Sequence, residues 1–490
     1  MPSITRREFL KAVSAGAATM ALPACMTKAQ EAATGRPPNV VIIFTDDQGY
    51  QDVGCFGSPL IRTPNLDRMA AEGMRFTNFY VAASVCTPSR AALMTGCYPQ
   101  RVNMNVVSRV INGEERGGAV VLFQNSNRGL HPNEVTVAEI LRRRGYATAC
   151  VGKWHLGHLP EFLPMKQGFD SYYGIPYSND MNIRRGDKSG PPLLRNGELI
   201  EHPANQATLT KRYTEEAVTF IRESKRKPFF LYLPHTMPHL PLAASGEFKG
   251  KSKRGLYGDA IEEIDWSVGE VLKTLKACGV DEQTLVVFTS DNGPWIRFGA
   301  RGGCALPLRD GKGTIYEGGM REPCIMRWPG KIPAGSLCNE VATTMDLLPT
   351  IAGLTGGRVP TDRVIDGKDI RPLMAGKPGA TSPHEAFYYY PKQTTVPMAV
   401  RCGKWKLHKA GQRHKTWKDD NGRWMHRKVE LPTELYDLEA DIGETTNLAD
   451  AHPDVVRRLT EMMDRFDADL KQHSRPIGPA GDLASSPASA

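Results

Sequence analysis

Four apolar runs in this sequence share one kind of ending, and that ending constrains the fold more than any other feature. The runs lie at residues 39–49, 146–157, 229–242 and 284–293, and each closes on charged, amide or imidazole side chains. Continuous β-branched apolar runs are typical of strands that are buried on both faces of a sheet. Helical patterns separate the runs, at residues 134–145, 214–224 and 261–279. Strands that alternate with helices predict an α/β fold with a large, mostly parallel sheet sandwiched by helices.

The first and last runs end in oxygen-bearing side chains. Asp46 and Asp47 close the first run, and Asp291 and Asn292 close the last. In parallel sheets, ligands bind beyond the carboxyl ends of the strands. Three carboxylates and an amide form a hard donor set that suits Ca²⁺ or Mg²⁺. The alternative is that these residues only shape turns, because Asp and Asn favour turns.

The other two runs end in basic and imidazole side chains. Lys153 and His155 follow the run at 146–157, and His235 and His239 close the run at 229–242. The carboxyl ends of parallel strands meet at one edge of a sheet. We therefore expect the polar residues of all four runs to lie in one site.

The chain divides into four parts by pattern and composition. We predict an export signal and linker at residues 1–36, a large α/β domain at 37–380, a smaller α+β domain at 381–473 and a disordered tail at 474–490. Short antiparallel strand patterns and a final amphipathic helix after Pro453 indicate the smaller domain. The tail has almost no apolar surface to bury.

The N-terminus has the layout of a twin-arginine export signal. Arg6 and Arg7 precede a short, weakly hydrophobic stretch at residues 12–24. Residues 22–25, LPAC, resemble a bacterial lipobox, which would make Cys25 a lipid-bearing first residue and the protein a membrane-anchored lipoprotein. Ordinary cleavage nearby is the alternative. In both cases we expect a periplasmic or extracellular protein.

Composition excludes several classes of protein. No apolar run approaches the roughly 18 residues that a membrane-spanning helix needs. The net charge of +9 suits an anionic substrate but is too small to indicate nucleic acid. The 10 cysteines are scattered without a CxxC motif, so their spacing proposes no disulfide framework.

One cysteine stands where a helix is expected to begin. Cys86 opens the stretch CTPSRAALMTG, in which Pro88 suits the first turn of a helix and Gly96 can end it. A helix N-terminus carries partial positive charge and favours an anion. A thiolate of lowered pKa is one interpretation of Cys86. Ca²⁺ and Mg²⁺ prefer oxygen, however, so an oxygen nucleophile would suit the neighbouring carboxylates better.

Residues 86–90, CTPSR, match the C-x-P-S-R signature of the type I sulfatases, in which the cysteine is converted to formylglycine (3-oxoalanine). Further motifs resemble their counterparts in family order: FTDDQG, TVAEILRRRGYATACVGKWHLG, GIPYSND, SDNG and LRDGKGTIYEGGMREP. The sequence is most similar to the branch that contains arylsulfatase A and N-acetylgalactosamine-6-sulfatase. The resemblance implies an alkaline-phosphatase-like fold, with residues 37–380 as the catalytic sulfatase domain.

The resemblance also implies a metal site and a modified nucleophile. The implied ligands of Ca²⁺, with Mg²⁺ as the alternative ion, are Asp46, Asp47, Asp291, Asn292 and the formylglycine made from Cys86. Arg90 and Lys153 would hold the formylglycine, and His155 would orient its hydroxyls. A formylglycine-generating enzyme would be the partner during maturation.

Four residues are implied to bind the sulfate: Lys153, Ser178, His239 and Lys312. His239 would also protonate the leaving alcohol, since general acids act on leaving groups in this way. His235 is a second candidate for this role, but His239 fits the H-x-P pattern of the family better.

The implied activity is that of a sulfuric ester hydrolase acting on an aryl sulfate or a sulfated carbohydrate. The alternatives are a phosphoester or phosphonate hydrolase of the same superfamily and an inactive glycan-binding lipoprotein. Residues 392–428 contain eleven Lys or Arg and two acidic residues. This stretch is either a solvated basic face or a surface that binds further sulfates of a polyanionic glycan.

Overall fold

The structure, a computed structural model, describes residues 36–111, 114–181 and 190–479. From Pro38 onward the chain forms one compact unit. The predicted export signal and Cys25 lie outside the described residues. Within the described ranges, no helix combines the length and apolar character needed to cross a membrane.

An 11-stranded sheet forms the centre of the molecule. Its strands are β1 (Asn39–Thr45), β2 (Met74–Tyr80), β6 (Ala147–Val151), β7 (Ser171–Gly174), β8 (Leu193–Arg195), β9 (Glu198–Glu201), β10 (Phe229–Pro234), β11 (Thr284–Ser290), β12 (Arg321–Arg327), β13 (Ser336–Cys338) and β14 (Ala342–Thr343). They lie in the order β13-β2-β12-β11-β1-β10-β6-β7-β8-β9, with β14 also paired to β2. The five central strands, from β11 to β7, are parallel. The predicted mostly parallel sheet is confirmed.

Helices cover both faces of this sheet. They are α1 (Pro64–Ala71), α2 (Cys86–Thr95), α3 (Val137–Arg143), α4 (Leu209–Ser224), α5 (Leu256–Ala277), α6 (Glu317–Met320), α7 (Leu347–Thr355) and α8 (Arg371–Met374). Every residue of β1 is buried; Val40 and Ile42 face the core that contains α2, α3 and α7, whereas Val41 and Ile43 face the core that contains α1, α4 and α5. Burial on both faces explains the unbroken apolar runs.

Short elements connect these layers. Two-stranded pairs are formed by β3 (Val107–Ile111) with β4 (Glu114–Ala119) and by β5 (Arg128–Gly129) with β21 (Gly478–Pro479). Short 3-10 helices lie at Tyr50–Asp52, Gly54–Phe56, Pro160–Phe162, Pro164–Lys166, Gln206–Thr208, Asp281–Gln283, Ile296–Arg301 and Thr344–Asp346.

A smaller α+β region follows, as the sequence predicts. The strands β15 (Phe387–Tyr389), β16 (Ala399–Cys402), β17 (Trp405–His408) and β20 (Glu434–Asp437) form a four-stranded antiparallel sheet. A long hairpin, β18 (Gly411–Lys418) and β19 (Trp424–Leu431), extends from it. The final helix, α9 (Pro453–Gln472), packs its apolar stripe on this sheet. The exact boundary near residue 380 stays a prediction.

The first residues of the predicted disordered tail are ordered. Gly478 and Pro479 form β21 and pair with β5, and Arg475 donates to the carboxylate of Glu134 at 2.7 Å. The backbone N–H of Arg475 also donates to the carbonyl of Arg101. The prediction of disorder is therefore wrong for residues 474–479, because these polar contacts and the packing of Ile477 against the core hold the segment in place. Residues 480–490 lie outside the described residues.

Candidate active site

The four strands whose runs end in polar residues are immediate neighbours in the sheet, in the order β11, β1, β10 and β6. Their carboxyl ends therefore meet at one edge. The polar residues that follow them are Asp291 and Asn292, Asp46 and Asp47, His235 and His239, and Lys153 and His155. All eight are buried.

Asp46 and Asp291 share a buried cluster with two cations. Lys153 Nζ donates to Asp46 Oδ2 at 2.5 Å, and Arg90 Nη2 lies 3.5 Å from the same oxygen. The Arg90 guanidinium also donates to Asp291 Oδ2 through Nε and Nη2, at 3.0 and 2.8 Å. Burial alone would raise the pKa of Asp46, but Lys153 and the other nearby cations outweigh burial and hold it far below its usual range. Burial and the adjacent Asp46 raise the pKa of Asp291 to about 7.

Asp47 is surrounded by donors as well. Lys312 Nζ donates to its two carboxylate oxygens at 2.6 and 2.8 Å, and Asn292 Nδ2 donates to Oδ1 at 2.7 Å. His239 Nε2 lies 3.6 Å from Oδ2. The backbone of Asp47 is left-handed, with φ of 64°, which Asp tolerates better than most residues. Burial would lower the pKa of Lys312, but Asp47 outweighs burial and raises it.

The donor set fits a hard cation. Oxygen atoms of Asp46 and Asp291 and the sulfur of Cys86 lie within 4.8 Å of one another, as do ligand atoms of Asp46, Asp47 and His239. Asp46 Oδ1 and Asn292 Oδ1 are buried and accept no hydrogen bond from any described residue. Buried oxygens without a partner are costly, and Ca²⁺ or Mg²⁺ would satisfy them.

Cys86 is the first residue of α2, as the sequence predicts. Gly96 ends this helix with φ of 69°, a left-handed conformation that favours glycine. The Cys86 side chain is buried, and burial raises the pKa of its thiol to about 11. The unmodified thiol is therefore protonated near neutral pH and is a poor nucleophile.

His155 faces the same cavity as Cys86. Its Nε2 lies 2.9 Å from the carbonyl oxygen of Leu122, so Nε2 carries the proton and donates. Its Nδ1 is buried and has no hydrogen-bond partner among the described residues. Burial and the charge of Lys153 hold the pKa of His155 well below its usual value, so the ring is neutral and Nδ1 is an acceptor.

His239 and His235 have different surroundings. His239 lines the cavity, and its Nδ1 lies 2.9 Å from Asn179 Oδ1 and 2.6 Å from the carbonyl of Leu240. His235 Nε2 instead contacts Ser267 Oγ of α5 at 3.3 Å, and burial lowers the pKa of His235 to about 3. The structure therefore separates the two candidates, with only His239 at the site.

One cavity of about 190 Å³ opens above these groups. Its lining includes Cys86, His155, Ser178, His239, Trp295, Arg297, Lys312, Gly313, Lys392 and His426. Ser178 Oγ lies 3.4 Å from Lys153 Nζ. The structure thus brings all eleven residues named from the sequence into one site, namely Asp46, Asp47, Cys86, Arg90, Lys153, His155, Ser178, His239, Asp291, Asn292 and Lys312. Their individual roles stay predictions.

Sequence reasoning missed two residues that hold the sulfate-binding candidates in place. Asn179 Oδ1 accepts a hydrogen bond from His239 Nδ1 at 2.9 Å. The Trp295 ring lies 4.6 Å from Lys312 Nζ and 5.6 Å from the His239 ring. Asn179 directly follows Ser178, and Trp295 lies two residues after the SDNG motif. Proximity to those motifs is the signal that could have found them.

The basic stretch at residues 392–428 is not one uniform face. Four of its cations have carboxylate partners: Lys404, Lys406, Lys409 and Arg413. Arg401 is buried and donates to Tyr80. Lys418 Nζ lies over the Trp424 ring at 5.0 Å and borders a different cavity. Lys392 alone of the eleven lines the cavity that contains Cys86.

The chain matches known proteins over most of its length. A family model described as Sulfatase matches residues 38–357, and one for the C-terminal region of aryl-sulfatase matches residues 382–486. Arylsulfatase A of Homo sapiens is 41% identical over 463 residues, covering 88% of this chain and 88% of that protein. N-acetylgalactosamine-6-sulfatase of Canis lupus familiaris is 42% identical over 385 residues, covering 76% of this chain and 72% of that protein. The solved structure of the PsFucS1 sulfatase from Pseudoalteromonas sp. has a TM-score of 0.77 at 28% identity and covers 92% of this chain and 94% of its own.

Proposed function

Because this chain belongs to the sulfatase family and hydrolyses sulfate esters, we propose that it does so through a formylglycine made from Cys86, with Ca²⁺ bound beside it. The observation that carries this proposal is the position of Cys86 at the start of α2, where its sulfur lies within 4.8 Å of oxygens of Asp46 and Asp291. Hard oxygen ligands suit Ca²⁺, and an oxygen nucleophile suits those ligands better than a thiolate. The substrate would be an aryl sulfate or a sulfated carbohydrate, in keeping with the names of the two relatives.

The residues around the cavity would bind the sulfate and hold the nucleophile. When present, the formylglycine hydrate supplies two hydroxyls on one carbon, and Ca²⁺ supplies positive charge beside the sulfate oxygens. Lys153 and Lys312 donate hydrogen bonds to those oxygens and stabilise the negative charge that they carry. Asp291, held in place by Arg90 at 2.8 Å, accepts a proton at residue 86.

Two histidines would move the remaining protons. Both neighbours of His239 Nδ1 are oxygen acceptors, so Nδ1 keeps its proton and Nε2 is the atom that passes a proton to the leaving oxygen. His155 Nδ1 is an acceptor, because Nε2 is committed to the Leu122 carbonyl. In the proposed reaction His155 therefore accepts a proton at residue 86, and the sulfate is released.

The choice of ester tests this proposal. We expect kcat/KM for 4-nitrophenyl sulfate to exceed that for 4-nitrophenyl phosphate, and we expect the Cys86→Ala variant to lose turnover of both. The two esters share one leaving group, so the comparison isolates the transferred group. A preference for the phosphate ester would instead support a phosphoester or phosphonate hydrolase. Absence of any turnover by protein that carries formylglycine would support an inactive glycan-binding protein.

Removal of the metal tests the implied cation. Dialysis against a chelator should lower both the activity and the melting temperature, and Ca²⁺ should restore both, because a ligand that binds only the folded state stabilises it. The Asp291→Asn variant should bind Ca²⁺ more weakly by calorimetry, since it lacks one carboxylate of the donor set. Restoration by Mg²⁺ but not by Ca²⁺ would assign the other ion.

We also propose that the protein is exported by a twin-arginine signal and modified before export by a formylglycine-generating enzyme. The motif at Arg6 and Arg7 supports the first step, and CTPSR at residues 86–90 supports the second. Replacement of Arg6 and Arg7 by Lys should leave the protein in the cytoplasm. Palmitate labelling of the wild type, and its loss in Cys25→Ala, would support the lipoprotein form.

A further inference from the structure

Lys392 is a half-buried cation that lines the same cavity as Cys86. Its Nζ contacts the imidazole Nε2 of His426 at 2.8 Å. Among the described residues, no carboxylate lies within ion-pair distance of this ammonium group. A cation that is removed from water without an anionic partner is costly, so an anion from outside the chain would stabilise it.

The charges that surround Lys392 increase this need for an anion. Its charged neighbours include Arg297, Lys312 and Lys428, all positive, and one acid, Asp310. The Asp310 carboxylate is already bound to backbone N–H groups, of Thr416 at 2.7 Å and of Gly311 at 2.8 Å. Burial and the neighbouring cations lower the pKa of Lys392 to about 8. The ammonium form therefore still predominates at neutral pH.

His426 fixes the direction of the Lys392 ammonium group. An ammonium group can only donate, so His426 Nε2 accepts, and its Nδ1 carries the proton and donates to Thr416 Oγ1 at 2.8 Å. The His426 ring also stacks on His414, with centroids 5.2 Å apart. The hairpin of β18 and β19 thus holds an acceptor against Lys392, and the remaining two N–H bonds of the ammonium are left for a ligand.

Lys392 lies close to the residues that act on the sulfate. A Cβ atom placed on Gly313 would lie 3.2 Å from Lys392 Nζ, and Gly313 directly follows Lys312. The backbone N–H of Gly313 donates to the carbonyl of Ser84 at 2.9 Å, two residues before Cys86. The same cavity of about 190 Å³ is lined by Cys86, Lys312 and Lys392.

We propose that Lys392 binds a second anionic group of the substrate, a carboxylate or a second sulfate, next to the sulfate ester that is cleaved. The natural substrate would then carry at least two acidic groups near each other, as an acidic, sulfated carbohydrate does. This inference rests on the proposed function of the same site. Of the eleven cations in the basic stretch at 392–428, it assigns recognition of the substrate to Lys392.

Three small aryl sulfates test this inference. One is 4-nitrophenyl sulfate, the second is the same ester with a carboxylate on the ring beside the sulfate, and the third is 4-nitrocatechol disulfate. We expect Lys392→Met to lower kcat/KM for at least one of the two dianionic substrates by about tenfold more than for 4-nitrophenyl sulfate, since loss of a half-buried charge partner weakens binding. The loss should fall mainly in KM, because Lys392 does not contact the transferred sulfur. Whichever dianionic substrate is affected identifies the second group as carboxylate or sulfate.

Two further variants serve as controls. Lys392→Arg should recover most of the preference for the dianionic substrate, because it keeps the charge. Lys418→Met makes the same substitution at a lysine of the hairpin that borders another cavity, and it should leave the preference intact. Equal losses on all three substrates in Lys392→Met, or no loss on any, would overturn the inference. Failure of the wild type to cleave any of the three would instead contradict the proposed function.

Discussion

At the scale of single residues, His235 and His239 show that two histidines after the same strand can have different roles. Both follow β10, and both are buried. His239 has two oxygen acceptors at Nδ1 and lines the cavity, with Nε2 3.6 Å from Asp47 Oδ2. His235 instead contacts Ser267 on the helix α5. A general acid must reach the leaving group, and only His239 lies where it can.

Replacement of each histidine separates these roles. We predict that His239→Ala lowers kcat by about 100- to 10,000-fold on an alkyl sulfate, the range typical of a lost general acid. The loss should be smaller on 4-nitrophenyl sulfate, because a good leaving group needs less protonation. His235→Ala is the matched control, and it should lower the melting temperature with kcat unchanged. Equal losses of kcat on both esters in His239→Ala would contradict the role of a general acid.

At the scale of elements, the sequence predicts the parts that have a repeating pattern. Unbroken apolar runs predicted four neighbouring strands, and Pro88 with Gly96 predicted the bounds of α2. The loops that complete the site carry no such pattern. Lys392 reaches the cavity from the loop between β15 and β16, and His426 reaches it from the hairpin strand β19. Only the folded chain shows which of many cations lines the cavity. The anchoring of residues 474–479 was missed for the same reason, since it depends on pairing with β5 and on contacts of Arg475 with distant residues.

The turn after β6 illustrates how backbone shape places Lys153 in the candidate site. Gly152 has φ of 136° and precedes Lys153, and a Cβ atom there would lie 1.9 Å from the carbonyl oxygen of Pro234. Because this clash is with backbone of the neighbouring strand β10, no rotation of a side chain can relieve it. The close approach of β6 and β10 therefore requires glycine at this position.

Substitution of Gly152 tests this requirement. We predict that Gly152→Ala separates Lys153 from Asp46, so that activity is lost and the melting temperature falls sharply. Gly145→Ala, just before the same strand, is the matched control, because Gly145 also has positive φ (79°) but has nothing within 4 Å of an added Cβ. The control should lose only about 1–2 kcal/mol of stability, the cost of a left-handed residue with a side chain. An active, stable Gly152→Ala enzyme would refute the packing argument.

At the scale of the whole molecule, a buried ion cluster connects the large α/β region to the smaller α+β region. Lys406 Nζ of β17 lies 2.8 Å from Glu317 Oε1 of α6 and 2.9 Å from Glu444 Oε1. The side chains of all three are fully buried, and Tyr389 also donates to Glu317. Arg321 lies 3.4 Å from Glu317, and the Glu317 backbone N–H donates to Glu444, but Lys406 contacts both carboxylates and offsets their repulsion.

Removal of the shared cation should destabilise the whole chain. We predict that Lys406→Met lowers the free energy of unfolding by about 3–5 kcal/mol, since it removes the buried ammonium group that contacts both carboxylates. Lys404→Met, which removes an ion pair between an exposed lysine and Asp437, should leave the melting temperature nearly unchanged. Thermal denaturation of the three proteins, with kcat measured at low temperature, gives the comparison. A similar small effect for both variants would show that the cluster contributes little.

The central claim is that residue 86 acts as an aldehyde hydrate rather than as a thiol. The most direct measurement is peptide mass spectrometry of residue 86 in preparations that contain different fractions of modified protein, each assayed for turnover of 4-nitrophenyl sulfate. The modified peptide should have lost one sulfur and two hydrogens and gained one oxygen relative to cysteine. We predict that activity rises in proportion to the modified fraction and vanishes when Cys86 is unmodified. Full activity in a preparation whose residue 86 is entirely cysteine would contradict the claim.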